Sequence, residues 1–184
     1  DWMDGIHLVE YASLGNERQE VKNKIGQALW DFYMFQIHGL RKVQADPHPG
    51  NFMVDKERNL IAIDFGCMKS LPKDFYHPYF ELSKKENIYD ISSFNRLLRK
   101  LEILLPSDSE DEVIYFTELF QRMMNLFTLP FHKSSFDFSS IIFWEGITNL
   151  SKDLAGDSQL RKMNGNRGSK HFIYINRTFF GLYH

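Results

Sequence analysis

Pro47 and Pro49, with only His48 between them, constrain this chain more than any other feature of its 184 residues. Each proline holds its φ near about −65° and has no N–H to donate, so neither a helix nor a central strand can run through the segment. Regular structure is legible on both sides. From Asn16 to Leu40 the apolar residues Val21, Ile25, Ala28, Leu29, Phe32 and Phe35 recur at the spacing of an amphipathic helix. Asn16 reads as its N-cap, with Gln19 three residues on, and Gly39 as its stop. Downstream, "FMV" and "LIAID" read as two strands of an antiparallel hairpin joined by the polar turn from Asp55 to Asn59. The chain is therefore expected to make a loop from Val43 to Asn51 between a long helix and a hairpin.

After Pro72 the pattern turns helical. "ISSFNRLLRKLEIL" follows Asp90 as a cap, and "DEVIYFTELFQRMMNLF" follows Ser109, which forms a capping box with Glu112. A weaker helical stretch covers Ile141 to Leu154, and a last helix begins near His171. The polar stretch "AGDSQLRKMNGNRGSK" between them reads as a solvated connection; its "GNRGSK" lacks the spacing of a phosphate-binding loop. The expected fold is α+β, mostly α, with one small hairpin beside a loop. Phe116, Leu119, Phe120, Met123, Met124 and Phe127 run nearly around their helix and read as core, with a lipid-facing groove the minority reading.

The residues in and around the loop carry the chemistry. Asp46 and Asn51 stand five positions apart on the loop, and Asp64 stands at the end of the second strand, followed by Phe65 and Gly66. A hairpin returns its two ends to one place, so Asn51 and Asp64 are expected to face a common point. Carboxylate and amide oxygens suit Mg²⁺, which takes one or two carboxylates and completes its shell with phosphate and water. An Asp, an Asn five residues later, and a strand-terminal Asp-Phe-Gly is the order and spacing of the protein-kinase catalytic loop and its metal ligand.

Other chemistries find less support. A net charge of −2 offers no electrostatic case for nucleic acid. The single cysteine, Cys67, excludes an internal disulfide and a multi-cysteine zinc site, and reads as a small buried residue. His48 has no partners at metal-ligand spacing and is expected to pack the loop or face a phosphate.

The stretch "ADPHPGNFMVDKERNLIAIDFGCMKSLP" resembles the signature of the UbiB/ADCK family of atypical, protein kinase-like kinases. "DWMDGIHL" resembles that family's hinge segment and "INRTFFGLY" its closing helix. The resemblance implies a kinase-like C-lobe over residues 1–184, with a hinge-like start (1–15), a catalytic loop, hairpin and DFG segment (43–72) and a helical remainder (73–184). It implies Asp46 as the catalytic residue, Asn51 and Asp64 as the Mg²⁺ ligands, and Asp1 and Met3 near the adenine of ATP. It further implies ATP binding with phosphoryl transfer or hydrolysis, and a link to isoprenoid quinone precursors or membrane lipid. The expected location is cytoplasmic, peripheral at a membrane.

Departures from the kinase pattern are also visible. Gln44 and Ala45 stand where His-Arg would precede the Asp, and "CMKSLP" runs straight toward the next helix. No Gly-rich loop, strand lysine or partner glutamate can be placed before Asp1, so the expectation is a C-lobe without its N-lobe, needing that lobe or a companion chain and binding Mg-nucleotide weakly alone. Two other readings stay open here: a small-molecule phosphotransferase of the aminoglycoside/choline kinase type, which shares the "HPGN" pattern, and a non-catalytic nucleotide- or lipid-binding accessory protein.

Overall fold

The structure is a computed structural model that describes residues 3–15, 17–158, 160 and 167–183. The chain gathers into two units, one reaching to Pro72 and taking up the segment from His171 onward, the other spanning Lys73–Lys170. The fold is mostly helical α+β, as expected.

The first unit opens with strand β1 (Ile6–His7) and helix α1 (Leu8–Ser13), in the segment read as hinge-like. Helix α2 (Gln19–Met34) begins at Gln19 with Arg18 as N-cap and no side-chain cap; the expected cap, Asn16, lies outside the described residues. The helix continues as a π-helical turn, Phe35–Leu40, which ends at Arg41 in the left-handed region (φ 54°). Gly39 is therefore not the stop. It sits inside the turn, where a Cβ would come within 3.2 Å of the exposed Phe35 ring.

Strand β2 (Lys42–Gln44) follows, then a short 3₁₀ turn, Pro49–Asn51, and the expected hairpin of β3 (Phe52–Val54) and β4 (Leu60–Ala62). Asp55 closes the hairpin turn: its Oδ1 accepts from Asn59 N–H at 2.7 Å, and that bond is the main reason its carboxyl lies below the usual range. Strand β5 (Met68–Ser70) pairs antiparallel with β2, while β1, β3 and β4 form a three-stranded antiparallel sheet in the order β1-β3-β4. Three expectations are corrected here. Val43 and Gln44 are strand rather than loop, "CMKSLP" contains a strand rather than running into a helix, and Asp64 lies two residues beyond the end of β4. Tyr11, Ile25 and Val54 form a buried cluster on which the partly buried Ile6, Leu8, Val21 and Leu60 pack, full burial of Ile25 and Val54 contributing about 1.5–3 kcal/mol each.

The second unit holds α3 (Lys73–Leu82), α4 (Lys85–Tyr89), α5 (Ile91–Lys100), α6 (Glu110–Phe127) and α7 (Ile141–Gly156). Asp90 caps α5 by accepting from the Ser92 and Ser93 N–H groups, and Ser109 with Glu112 makes the expected capping box on α6. Helix α5 stops at Lys100, not Leu104, because Glu102 turns left-handed (φ 60°) and Ile103 N–H reaches back to Leu98 O at 2.9 Å. Phe116 and Leu119 of α6 are buried, and Phe120, Met123, Met124 and Phe127 half-buried, in keeping with a core role.

The connection read as solvated is not so at its described end. Arg167 is held by Asp108 through two 2.8 Å hydrogen bonds, and Gly168 N–H donates to Glu102 O. Residues 159 and 161–166 of that connection lie outside the described residues. The chain then returns to the first unit as helix α8 (His171–Tyr183), beginning where expected and burying Ile175, Thr178, Phe179 and Tyr183.

Candidate active site

The loop between β2 and β3 is shaped by short polar contacts, some within it and some from neighbouring segments. Ala45 N–H donates to Cys67 O at 2.9 Å, carrying the β2–β5 pairing one residue further and delivering the chain to Asp46. His48 Nδ1 accepts from Gly50 N–H at 3.0 Å, and Asn51 N–H donates to His48 O at 2.9 Å. His48 is thus a local cap of the 3₁₀ turn, the loop-packing role among those expected of it. Cys67 is half-buried, with its carbonyl engaged by Ala45.

These contacts join Asp46 to Asn51 and set the segment that carries Asp64 alongside Asn51. Asn51 Nδ2 donates to Asp46 O at 2.9 Å and stands 3.5 Å from Asp46 Oδ2. Ile63 N–H donates to Asn51 O at 2.9 Å, so the β3–β4 pairing sets Asn51 opposite the residue before Asp64. Asp64 in turn accepts the Gly66 N–H on Oδ1 at 2.6 Å. Phe65 is 54% exposed and rests its ring 6.2 Å from that of Phe32 on α2.

The Asp64 backbone is tied down by Gln44, a residue the sequence presented only as a departure from His-Arg. Gln44 is buried; its Nε2 donates to Asp64 O, and its own N–H donates to Gln36 Oε1 at 2.8 Å. Gln36 lies in the π-helical turn, a distortion that often sits at functional sites. Tyr33, one turn earlier and also buried, has its hydroxyl pushed well above the ordinary tyrosine range, chiefly by burial and secondarily by the charge of Asp46. Helix α8 adds a second unforeseen group, since Arg177 Nη2 donates to Asp46 Oδ1 at 3.0 Å. Its separation of 131 residues from Asp46 hides this pair from any reading of local spacing.

The donor chemistry fits a hard divalent cation. Asn51 spends its amide nitrogen on Asp46, and among the described residues its Oδ1 and Asp64 Oδ2 accept no protein hydrogen bond. Mg²⁺ needs only one or two carboxylates, its shell being completed by phosphate and water. Neither of the other two expected site residues has a recorded contact with this cluster among the described residues. Met3 is 51% exposed, and its segment pairs with the hairpin only through Ile6 and His7; Asp1 lies outside the described residues.

Comparison with known proteins now bears on this arrangement. The sequence matches the family described as the ABC1 atypical kinase-like domain over residues 1–97, a span that contains the whole loop, hairpin and Asp-Phe-Gly segment. The chain belongs to the ABC1 atypical kinase-like family. It is similar to an ABC1 family protein of Schizosaccharomyces pombe, at 26% identity over 144 residues covering 67% of this chain and 27% of that protein. It is also similar to the protein ACTIVITY OF BC1 COMPLEX KINASE 7, chloroplastic, of Arabidopsis thaliana, at 32% identity over 82 residues covering 39% of this chain and 12% of that protein. The chain thus spans about a quarter and about an eighth of the lengths of these two relatives. Membership of the ABC1/UbiB group bears out, at family level, the resemblance of the segment between Gln44 and Pro72.

Proposed function

We propose that this chain is the C-lobe of an ABC1/UbiB-type atypical kinase or ATPase, which binds Mg-ATP and supports phosphoryl transfer or hydrolysis. The observation that carries the proposal is the clustering of Asp46, Asn51 and the Asp64 segment through the Asn51–Asp46 and Ile63–Asn51 hydrogen bonds. Family membership supports the same reading. Asn51 Oδ1 and the Asp64 carboxylate would hold Mg²⁺, with Asp1 and Met3 bordering the adenine. When bound, the ion and nucleotide supply charge neutralisation and the phosphoryl group itself.

The chain's own residues supply positioning. Asp46 orients the attacking hydroxyl or water, and Asn51 keeps the Asp46 backbone in place through its Nδ2 donation. Gln44, reaching across to Asp64 O, keeps the Asp-Phe-Gly segment in register with the loop. The proposed acceptor environment is an isoprenoid quinone precursor or membrane lipid, at the periphery of a membrane or in the cytoplasm. No helix among the described residues is long and apolar enough to cross a membrane.

The test is a pair of substitutions followed by two separate measurements. Asp64→Asn is expected to weaken Mg-nucleotide binding at least tenfold, and Asp46→Asn to leave binding within about twofold while lowering turnover about a hundredfold, the scale of a positioned acid–base group. Fluorescent-nucleotide titration reads the first and phosphate release the second. Equal binding and turnover in the wild type and both variants would refute the assignment.

A further inference from the structure

Helix α8 presents two different stripes. Ile175, Phe179 and Tyr183, spaced by four, are buried and hold the helix in the first unit. Arg177 and Gly181, also spaced by four, lie on another stripe and meet the catalytic loop. Arg177 Nη2 donates to Asp46 Oδ1 at 3.0 Å. At Gly181 a Cβ would fall 2.3 Å from Pro47 Cγ, so only a residue without one lets the helix lie this close to the proline. Between them Thr178 Oγ1, fully buried, shares its one proton between Tyr174 O of its own helix at 2.9 Å and Gln44 O at 3.2 Å. One helix therefore touches Gln44 at the end of β2 and Asp46 and Pro47 in the loop that follows.

The Asp46 carboxylate is consequently addressed from two sides, Oδ1 by Arg177 and Oδ2 by Asn51 Nδ2 at 3.5 Å. The Arg177–Asp46 pair is open to solvent, with side chains 64% and 42% exposed. Exposed ion pairs contribute little to stability, so replacing Arg177 should leave the fold intact. Arg177 has no other hydrogen-bond partner among the described residues.

We propose that α8 is a working part of the site: Thr178 and Gly181 brace the catalytic loop, and Arg177 is a positioning residue that fixes the Asp46 carboxylate. The proposal rests on the reading of Asp46 as the catalytic-loop carboxylate. It deepens that reading by supplying, from the far end of the chain, a cation that Ala45 does not provide in the loop itself. A carboxylate anchored at Oδ1 by Arg177 keeps one orientation toward an incoming hydroxyl or water, and misplacement by about 1 Å can cost up to about a hundredfold in rate.

The experiment has two arms, both on the full-length gene product that carries this chain. In the first, Mg-dependent ATP hydrolysis and fluorescent ATP-analogue binding are measured for the wild type, Arg177→Gln, Arg177→Lys, Asp46→Asn and the Asp46→Asn/Arg177→Gln double variant. Arg177→Gln should lower kcat about ten- to a hundredfold, with analogue affinity and denaturation midpoint unchanged, and Arg177→Lys should restore most of the loss. The double variant should be no slower than Asp46→Asn alone, since Arg177 acts through that carboxylate. Wild-type turnover in Arg177→Gln, a loss that multiplies with that of Asp46→Asn, or a parallel loss of analogue binding would overturn the positioning role.

In the second arm, amide hydrogen exchange at Ala45 and Asn51 is compared between the wild type, Thr178→Val and Gly181→Ala. Faster exchange in both variants supports the brace, and unchanged exchange overturns it whatever the ATPase arm gives. A wild type that binds no Mg-nucleotide would instead sink the nucleotide reading and with it the Arg177 role, leaving the exchange arm to judge the brace.

Discussion

Replacing Arg167 with alanine should be among the most destabilising single changes available in the second unit. Its guanidinium meets Asp108 in two parallel 2.8 Å bonds, Nη1 to Oδ2 and Nη2 to Oδ1, and the two side chains are only 10% and 2% exposed. Nη1 also donates to Ile103 O at 3.1 Å, and the guanidinium carbon lies 4.1 Å from the centre of the Phe116 ring. In Arg167→Ala the Asp108 carboxylate stays buried with one strong donor left, the Leu105 N–H at 2.7 Å. Removing one partner of a buried pair costs about 3–5 kcal/mol, because the remaining charge is neither solvated nor matched. With a urea m-value of about 2 kcal/mol/M, the unfolding midpoint should fall by roughly 2 M.

Acid should narrow the difference to the share that Ile103 O and the Phe116 ring account for. Arg167 is the main cause that holds the Asp108 carboxyl below its ordinary range. The stability this confers is fully present above the unfolded carboxyl's value of about 3.9 and is lost as pH falls through the depressed folded value. Urea titrations of the wild type and Arg167→Ala at neutral pH and at about pH 2 test both points, and an Asp108→Leu/Arg167→Met double variant should regain most of the loss. A neutral-pH difference below about 1 kcal/mol, or one that persists undiminished in acid, would refute the reasoning.

Gln44→Leu should cost about 1–3 kcal/mol by leaving Asp64 O without its partner, and should weaken Mg-nucleotide binding through the Asp-Phe-Gly segment; calorimetry and nucleotide titration read the two effects. Ser109→Ala should lower stability by about 1 kcal/mol, since the Oγ that accepts the Glu112 N–H is lost while the backbone N–H at 109 still donates to Glu112, with no effect on nucleotide binding. Tyr115, which donates to Asp157 Oδ2 at 2.6 Å, has its hydroxyl pushed up to about 12, chiefly by burial. Asp157→Asn should bring it only part of the way back toward 10, as read by NMR titration of that ring.

The elements legible in advance were those whose determinants are local. The hairpin follows from two apolar runs and a polar turn, and Asp90, Ser109 and Glu112 reach backbone groups within three residues. Ends went wrong where the usual residue was missing or stood elsewhere. Glu102 and Arg41 take the left-handed role that glycine signals, while Gly39 lies inside the π-helical turn. The pairing of β2 with β5 was hidden because each strand is three residues long and neither alternates clearly. Arg167, amid polar neighbours, looked solvated because its partner is 59 residues away.

For the site the same division holds. The primary structure alone determined that a proline-locked loop, an Asp and Asn five residues apart, and a strand-following Asp-Phe-Gly would lie close together, because a hairpin is short enough to enforce its own closure. It also carried the family. Only the tertiary structure decided that Gln36 and Gln44 hold the Asp64 backbone, and that Arg177 and Gly181 lie against Asp46 and Pro47. Those contacts depend on how a π-helical turn and a distant helix pack, and packing is set by the sum of many apolar burials rather than by any spacing along the chain.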